Sequence, residues 1–396
     1  MTETLEVPVR ARLEGVDVLR GLSVLLVVMH HIHLRFVLNG FAVDDVLPKT
    51  LNQVLFWSGY YAVIAFFVIS GFLITSLSIR RWGSPARIRM GQFYWMRFSR
   101  IAPCMLLLLA ILSALHIAGA PDFTIKPERA SLGQALLAAL TFHVNWLEGH
   151  HGYLPGGWDI LWSLSVEEIF YVVFPLLCVF LRRERWLVWP LLALILIGPI
   201  NRTMLAERDP WGSYAYLSCM DGIAFGCLAA LAVARLRLSP STLRIGLAAG
   251  AIAVTLVILL CNEDEHINLV SRYGLNVTIL ELGVASMLVA LGNGIGSHAM
   301  TRGTGWLRMV GRSSYEIYLF HMIVVLTAIH IFKRNQPVLS TAPAWYAAIL
   351  VASVLLGYVV SRLYSEPLNH RLRLRYLQAS QTSDVAVTLA AHRGPC

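Results

Sequence analysis

The stretch Leu132-Gly-Gln-Ala-Leu-Leu-Ala-Ala-Leu-Thr-Phe-His-Val-Asn-Trp-Leu147 decides the fold. It is apolar enough to count as a candidate membrane span, and whether it crosses sets the side of every later loop. Ten other apolar stretches surround it, at about 17–37, 57–79, 99–119, 159–181, 186–201, 214–234, 243–261, 274–293, 313–332 and 342–364. Loops rich in Lys and Arg face the cytoplasm. The region after the second stretch carries Arg80, Arg81, Arg87, Arg89, Arg97 and Arg100, so it is read as cytoplasmic, and so is the N-terminus with Arg10 and Arg12. If 132–147 crossed, Arg182, Arg183 and Arg185 would fall outside and every later basic loop would be inverted. If it does not cross, Arg235, Arg237 and Arg244 lie inside, and Asn262-Glu-Asp-Glu265 lies outside. Arg302, Arg308 and Arg312 then lie inside, as does the tail with Arg371, Arg373 and Arg375. Lys333 and Arg334 run against the trend.

The fold class expected is therefore all-α: a polytopic transmembrane helical bundle of about ten spans, with both termini cytoplasmic. Residues 132–147 are expected as one short re-entrant or interfacial helix. Residues 1–11 form a cytoplasmic N-terminal segment and 12–375 the transmembrane domain. Residues 376–396, rich in Ser, Thr, Ala and Gln, read as a disordered cytoplasmic tail.

Composition agrees. Of 396 residues, 57% are apolar and 14% charged, against about 25% charged in soluble domains, and the mean hydropathy is +0.64. These values exclude a nucleic-acid-binding domain, a disordered chain, a fibrous protein and a small disulfide scaffold. The net charge of +9 is that of a membrane protein with basic cytoplasmic loops. Cys104, Cys178, Cys219, Cys227, Cys261 and Cys396 show no C-x-x-C spacing, so neither a disulfide framework nor a metal site is indicated. The first apolar stretch holds Arg20, His30 and His31 with no small-residue cleavage site after it, and reads as a retained span. No internal repeat is visible, which argues against an inverted-repeat transporter.

Ionisable residues at membrane depth are costly and tend to be functional. The first span carries Asp17, Arg20, His30 and His31. Arg20 and His31 are eleven residues apart, roughly 20° from three full turns and about 16 Å along the axis, so they share a face. Asp17 and Arg20 are three apart and suit a local ion pair. A span at 159–181 carries Glu167 and Glu168, a later one Asp221, and another Tyr315, Glu316, Tyr318 and His321. A buried His can act as general base near neutral pH, and a buried carboxylate can orient it. An Arg can hold phosphate or stabilise an oxyanion. Each residue has a plainer reading. A lone intramembrane His can be structural, the Arg80–Arg100 set can be topogenic, Glu168 can face headgroups, and Asp221 can cap its helix. Taken singly, these residues indicate only a polar cavity in a helical membrane protein.

Together they form a longer pattern. Leu19-Arg20-Gly21 is followed by His31, giving Arg-x10-His. Phe66-Phe-Val-Ile-Ser-Gly-Phe-Leu73, Phe93-Tyr-x-x-Arg97-x-x-Arg100-Ile101-x-Pro103 and Trp162-Ser-Leu-Ser-Val-Glu-Glu-x-Phe-Tyr171 come next. Asp221-Gly-Ile-Ala-Phe-Gly226, Ser314-Tyr-x-x-Tyr-Leu-x-His321 and Glu366-Pro367 complete the series. From about residue 12 to 373 this order resembles the acyltransferase 3 family of integral-membrane acyltransferases. The sequence departs from the family at Ala62-Val63-Ile64, where Gly-Val-Asp is usual, at Met96, the usual first Arg of a pair, and at Ile169, usually Gln.

The resemblance implies transfer of an acyl group, usually acetyl, from cytoplasmic acyl-CoA as donor substrate, with no permanently bound cofactor. The acceptor implied is a hydroxyl of a saccharide, a lipid-linked saccharide or a glycosylated metabolite. His31 and Arg20 fall on the family's essential histidine and arginine, Glu167 on its glutamate, and Arg97 and Arg100 on its basic motif. Arg80 and Arg81 join that basic group as candidates to bind the donor, and His321 is the rival general base. The location implied is the bacterial inner membrane, with the bilayer as the other partner and no nucleic acid. A fused esterase-like domain, present in some members, is not expected in the residues that follow the last span. A different reading uses the same His, Arg and Glu residues as the relay of a transporter or lipid-handling protein. The basic cytoplasmic mouth and the motif order favour the enzyme.

Overall fold

Apolar chain at membrane depth has no water to satisfy its backbone, so each run folds as a helix that pairs its own N–H and C=O groups. The computed structural model describes residues 14–41, 47–261, 269–296, 302–335, 338–376 and 378, and no strand occurs among them. The N-terminal segment 1–11, the acidic loop 262–265 and nearly all of the expected tail lie outside the described residues.

In chain order the helices are α1 (Glu14–Leu38), α2 (Lys49–Phe56), α3 (Gly59–Trp82), α4 (Met90–Ile117), α5 (Leu132–Leu140) and α6 (Val144–His151). There follow α7 (Gly156–Asp159), α8 (Leu161–Leu181), α9 (Glu184–Leu205), α10 (Trp211–Tyr214), α11 (Tyr216–Arg235) and α12 (Pro240–Leu260). The last are α13 (Leu269–Arg272), α14 (Leu275–Gly292), α15 (Gly305–Arg312), α16 (Ser314–Asn335) and α17 (Ala342–Val360). The chain beyond α17 continues through a π-turn, Ser361–Ser365, into helix ending at Tyr376. Ten helical runs are long and apolar enough to cross a membrane, counting α7 with α8, α10 with α11, and α17 with its extension. The protein is an integral membrane helical bundle.

The deciding stretch does not cross. It forms two short helices rather than the single one expected. Ser131 caps α5 in a reciprocal box with Gln134, and Phe142, at φ 59°, breaks the chain before α6. Both pieces stay at one end of the bundle. The Phe142 carbonyl accepts from the Tyr216 hydroxyl at 2.7 Å, Asn145 donates to the Tyr214 carbonyl at 3.0 Å, and Arg129 donates to the His151 carbonyl at 2.6 Å.

The opposite end is basic. There Glu184 accepts from Arg235 at 2.6 Å and from Ser84 at 3.0 Å, tying three loops together. Glu14 pairs with Arg308 at 2.7 Å, which docks α15 against the start of α1. A second difference from expectation lies here: α4 begins at Met90, nine residues before 99, so Arg97 and Arg100 are carried on helix rather than at its mouth.

Between the two ends, α3 and α11 meet backbone to backbone. A Cβ on Gly71 would lie 1.9 Å from the Ile223 carbonyl oxygen, and one on Gly226 would lie 1.9 Å from that of Val68. Small residues allow such an approach where no hydrophobic effect drives helices together. Asp221 does not cap α11. It pairs in the interior with Arg202 at 2.8 Å, and Arg202 also donates to the Gly274 carbonyl and the Thr278 hydroxyl. By contrast α12 buries only Leu243, Gly250 and Val257 and turns the rest of its apolar surface outward, as a lipid-facing helix does.

Candidate active site

Polar side chains form a column from the basic end, between α1, α3, α4, α8 and α16, to the far end. At its centre are two histidines from α1 and α16. His321 Nε2 lies 3.2 Å from His31 Nδ1, and the ring centroids are 4.9 Å apart. Hydrogen bonding assigns their tautomers. His321 Nδ1 lies 2.6 Å from the Tyr318 carbonyl, so it carries a proton and donates it there. His321 Nε2 is then an acceptor. His31 Nδ1 lies 2.9 Å from the Val27 carbonyl, so it too is an N–H, shared between that carbonyl and His321 Nε2. His31 Nε2 keeps its lone pair, with no hydrogen-bond partner among the described residues, while His321 is fully buried. The neighbouring His30 turns away and bonds the Phe56 carbonyl at 2.7 Å. Tyr318 anchors this level to α8 through Ser163 at 2.7 Å and the Ile160 carbonyl at 2.9 Å.

One turn nearer the basic end lies a second group. Glu167 Oε1 accepts from the hydroxyls of Ser70 and Tyr171, and Arg97 approaches it at 3.8 Å. The Arg97 guanidinium lies on the Tyr171 ring, 3.5 Å from its centroid. Among the described residues Glu167 therefore bonds Ser70, Tyr171 and Arg97, and it is not the carboxylate that orients the His31 imidazole. The α8 residue at the histidine level is Ser163, and Glu167 is four residues, about 6 Å, further along. Glu168, not Glu167, is the buried carboxylate of the pair, with Oε1 unpartnered.

The basic end divides its arginines into two sets. Arg100 is committed to Glu316 at 2.7 Å, a carboxylate fully buried at the start of α16. Arg20 donates to Ser314 at 3.0 Å and lies 3.8 Å from Asp17, so it braces α1 against α16 near their common end. Arg81, Arg87 and Arg89 instead line an open cleft of about 470 Å³ with Trp82 and Gln92. Arg80 is exposed beside it. Arg373 lies within electrostatic reach of Arg81, Arg97 and Arg100 and bonds Ser99 at 3.4 Å. Guanidinium groups with no carboxylate partner among the described residues are suited to phosphate oxygens.

At the far end, beyond His31, stands a third group around the turn 152–159. Glu148 is fully buried and accepts from the Leu154 N–H at 3.0 Å. Burial, with Asp159 beside it, pushes its carboxyl well above the usual range.

The sequence profile of the acyltransferase domain of the acyltransferase 3 family matches residues 13–362, which holds every residue of the column except Arg373. The chain belongs to that family. It is 26% identical over 367 residues to peptidoglycan O-acetyltransferase OatA of Listeria monocytogenes, covering 88% of this chain and 54% of that protein. To O-acetyltransferase OatA of Staphylococcus aureus strain NCTC 8325 it is 23% identical over 355 residues, covering 84% and 56%. The chain thus spans about half the length of the curated relatives it matches. No solved structure matches it.

This acyltransferase-family column contains residues that motif reading passed over. Ser70 and Tyr171 stand inside the quoted motifs, but nothing in their spacing says that they meet across 101 positions at Glu167. The charge of Arg373 was counted only toward topology. The pairing of His31 with His321 was not visible either, since each was weighed as a rival of the other.

Proposed function

We propose that this chain is a membrane O-acyltransferase that moves an acyl group, in our reading acetyl, from a cytoplasmic acyl-CoA to a hydroxyl of a saccharide. The observation that carries the proposal is the Nε2 of His31, without a partner among the described residues, backed through Nδ1 by His321 and placed between the basic cleft and the far end of the bundle. An alcohol is a weak nucleophile near pH 7 and gains from a base that takes its proton. His31 Nε2 takes the hydroxyl proton as the oxygen attacks the thioester carbonyl. The C–S bond then breaks, and the imidazolium returns the proton to the leaving thiolate, so one ester and one thiol replace one thioester and one alcohol. His321 and the Val27 carbonyl hold Nδ1–H throughout, as a carboxylate does in a triad. No acyl-enzyme is needed.

Arg81, Arg87 and Arg89 are the cations best placed for the phosphates of the donor, with Arg80 at their edge. Arg97 and Arg100 hold Glu167 and Glu316 and shape the passage beneath. Arg20 fixes the spacing of the two histidine helices. The basic end is cytoplasmic, both termini lie on that side, and the membrane is the bacterial inner membrane. The relatives named for O-acetyl transfer, one of them to peptidoglycan, support a saccharide acceptor.

The test is release of CoA thiol from acetyl-CoA by the purified chain with saccharide acceptors. The wild type releases thiol, and the Arg81→Gln, Arg87→Gln, Arg89→Gln triple variant needs at least tenfold more acetyl-CoA for half-maximal rate. Absence of thiol release with every saccharide would contradict the enzyme and return the polar column to a transport role.

A further inference from the structure

The far end of the column carries an unusual concentration of unmet hydrogen-bonding groups. Native proteins leave few buried polar atoms unpaired, because each costs the desolvation of the group. Three such atoms stand on or beside the turn Gly156–Asp159: Arg35 Nε, Asn145 Oδ1 and Trp158 Nε1. Asn145, Glu148 and Trp158 are themselves fully buried. Asn145 spends its amide N–H on the Tyr214 carbonyl at 3.0 Å, and Glu148 spends Oε1 on the Leu154 N–H at 3.0 Å. The Glu148 carboxyl also hydrogen-bonds Asp159, and Arg35 Nε, Asn145 Oδ1 and Trp158 Nε1 have no partner among the described residues.

Their arrangement relative to the histidines is fixed. Arg35 follows His31 by four residues on α1, one turn or about 6 Å further out. Gly156 leaves room for it: a Cβ there would lie 2.3 Å from Arg35 Nη2 and 2.5 Å from the Met322 methyl, and Met322 follows His321. Asp159 accepts from the protonated Glu148 carboxyl and from the Tyr214 hydroxyl at 3.3 Å, and lies within electrostatic reach of Arg35. The next residue, Ile160, is held by Tyr318 at 2.9 Å, and Tyr318 also accepts His321 Nδ1–H. The turn is therefore bolted to both histidine helices.

The mix of groups selects a chemical class. Arg35 and Trp158 offer donors; Asp159 and Asn145 offer acceptors, with Glu148 holding Asp159 in place. An anion meets two carboxyl groups here and a cation meets Arg35. A hydroxyl both donates and accepts, so a neutral polyol satisfies both kinds of site at once. We propose that the turn Gly156–Asp159, with Arg35 and Asn145, is the binding subsite for the acceptor saccharide, and that Glu148 positions Asp159 within it. It holds the hydroxyls that flank the one presented to His31. This inference rests on the acyl-transfer reading above and adds to it the residues that position the acceptor.

The experiment measures acetyl transfer by the full chain in detergent or liposomes, with β-1,4-linked tetramers of N-acetylglucosamine and of glucose as probes. Loss of a charge-assisted hydrogen bond to a ligand weakens binding about tenfold to a hundredfold. Asp159→Asn and Arg35→Gln each raise the KM for the tetramer by at least tenfold and leave the KM for acetyl-CoA within twofold. Gly156→Ala keeps every polar group but pushes the guanidinium aside, and it shifts the same constant in the same direction. An acceptor KM unchanged in all three variants, with an active wild type, overturns the subsite and leaves the acyltransferase reading intact. A rise in both KM values together also overturns it, since that marks general distortion. If the wild type transfers acetyl to neither tetramer, the acyl-transfer reading fails on these probes. The subsite is then judged by tetramer binding followed through tryptophan fluorescence. Weaker binding to Asp159→Asn supports it, and equal or absent binding to wild type and variant overturns it.

Discussion

Two imidazoles 3.2 Å apart have little to gain from each other unless their protons are arranged. Here the arrangement is set by backbone carbonyls: Tyr318 fixes the proton of His321 and Val27 that of His31. On the proposed mechanism the consequence is a division of labour. His31 is the base and His321 is the group that orients it. General-base catalysis contributes roughly 10²–10⁴-fold, so His31→Ala is expected to lose at least a hundredfold in turnover while retaining acetyl-CoA binding. His321→Gln loses less, because its side-chain carbonyl can still accept the Nδ1–H of His31. His30→Ala stays near wild type, since its ring serves the Phe56 carbonyl. Steady-state thiol release by the three purified variants checks this ordering. A His31→Ala variant with near-normal turnover, beside an inactive His30→Ala, would reverse it. These residues could be named from the sequence because ionisable groups at membrane depth are rare. Their partnerships could not, because His31 and His321 are 290 positions apart. Glu167 shows the limit most clearly. Its motif marked it as a site residue, but only the rise along α8 shows that it belongs with Arg97 and Tyr171, one turn from the histidines.

At the scale of single helices, the positions of the spans were legible from hydropathy and loop charge, because the bilayer imposes both. The starts and breaks were less so. The nine residues before 99 are rich in aromatics but carry Gln92 and Arg97 and follow directly on the basic loop, so hydropathy alone does not join them to the span. They fold as the first turns of α4 because tertiary partners take up their polar groups: Arg97 lies on Tyr171, and Trp95 donates to the Leu372 carbonyl at 3.1 Å. The break at Phe142 lacks a Gly or Pro, so no punctuation announced it. The crossing of α3 and α11 through Gly71 and Gly226 is a matter of packing and yields its own prediction. Gly226→Ala forces a methyl group against the Val68 carbonyl and is expected to cost about 1–3 kcal/mol, as overpacking of a filled interior does. Gly246→Ala on α12, where nothing lies within 4 Å of the added Cβ, should leave stability unchanged or slightly raised. Thermal unfolding of the two variants in detergent compares them directly. Equal melting temperatures would show that the α3–α11 contact is looser than described.

For the whole molecule, the basic loops and the non-crossing stretch 132–147 define two faces, and the polar column joins them through the bundle. If that is right, Arg87→Cys and Arg183→Cys label from one side of the membrane with an impermeant reagent, and Asp122→Cys labels from the other. Labelling of Arg183→Cys together with Asp122→Cys would require a further crossing between them. On the proposed mechanism, the donor and the acceptor reach the column from opposite sides of the membrane and never share a compartment. That claim is tested most directly in sealed proteoliposomes, with labelled acetyl-CoA confined to the side of Arg81, Arg87 and Arg89 and an impermeant oligosaccharide confined to the other. The account predicts that label reaches the oligosaccharide with the wild type and does not with His31→Ala. Label that reaches it only when both reactants are on one side would contradict the account.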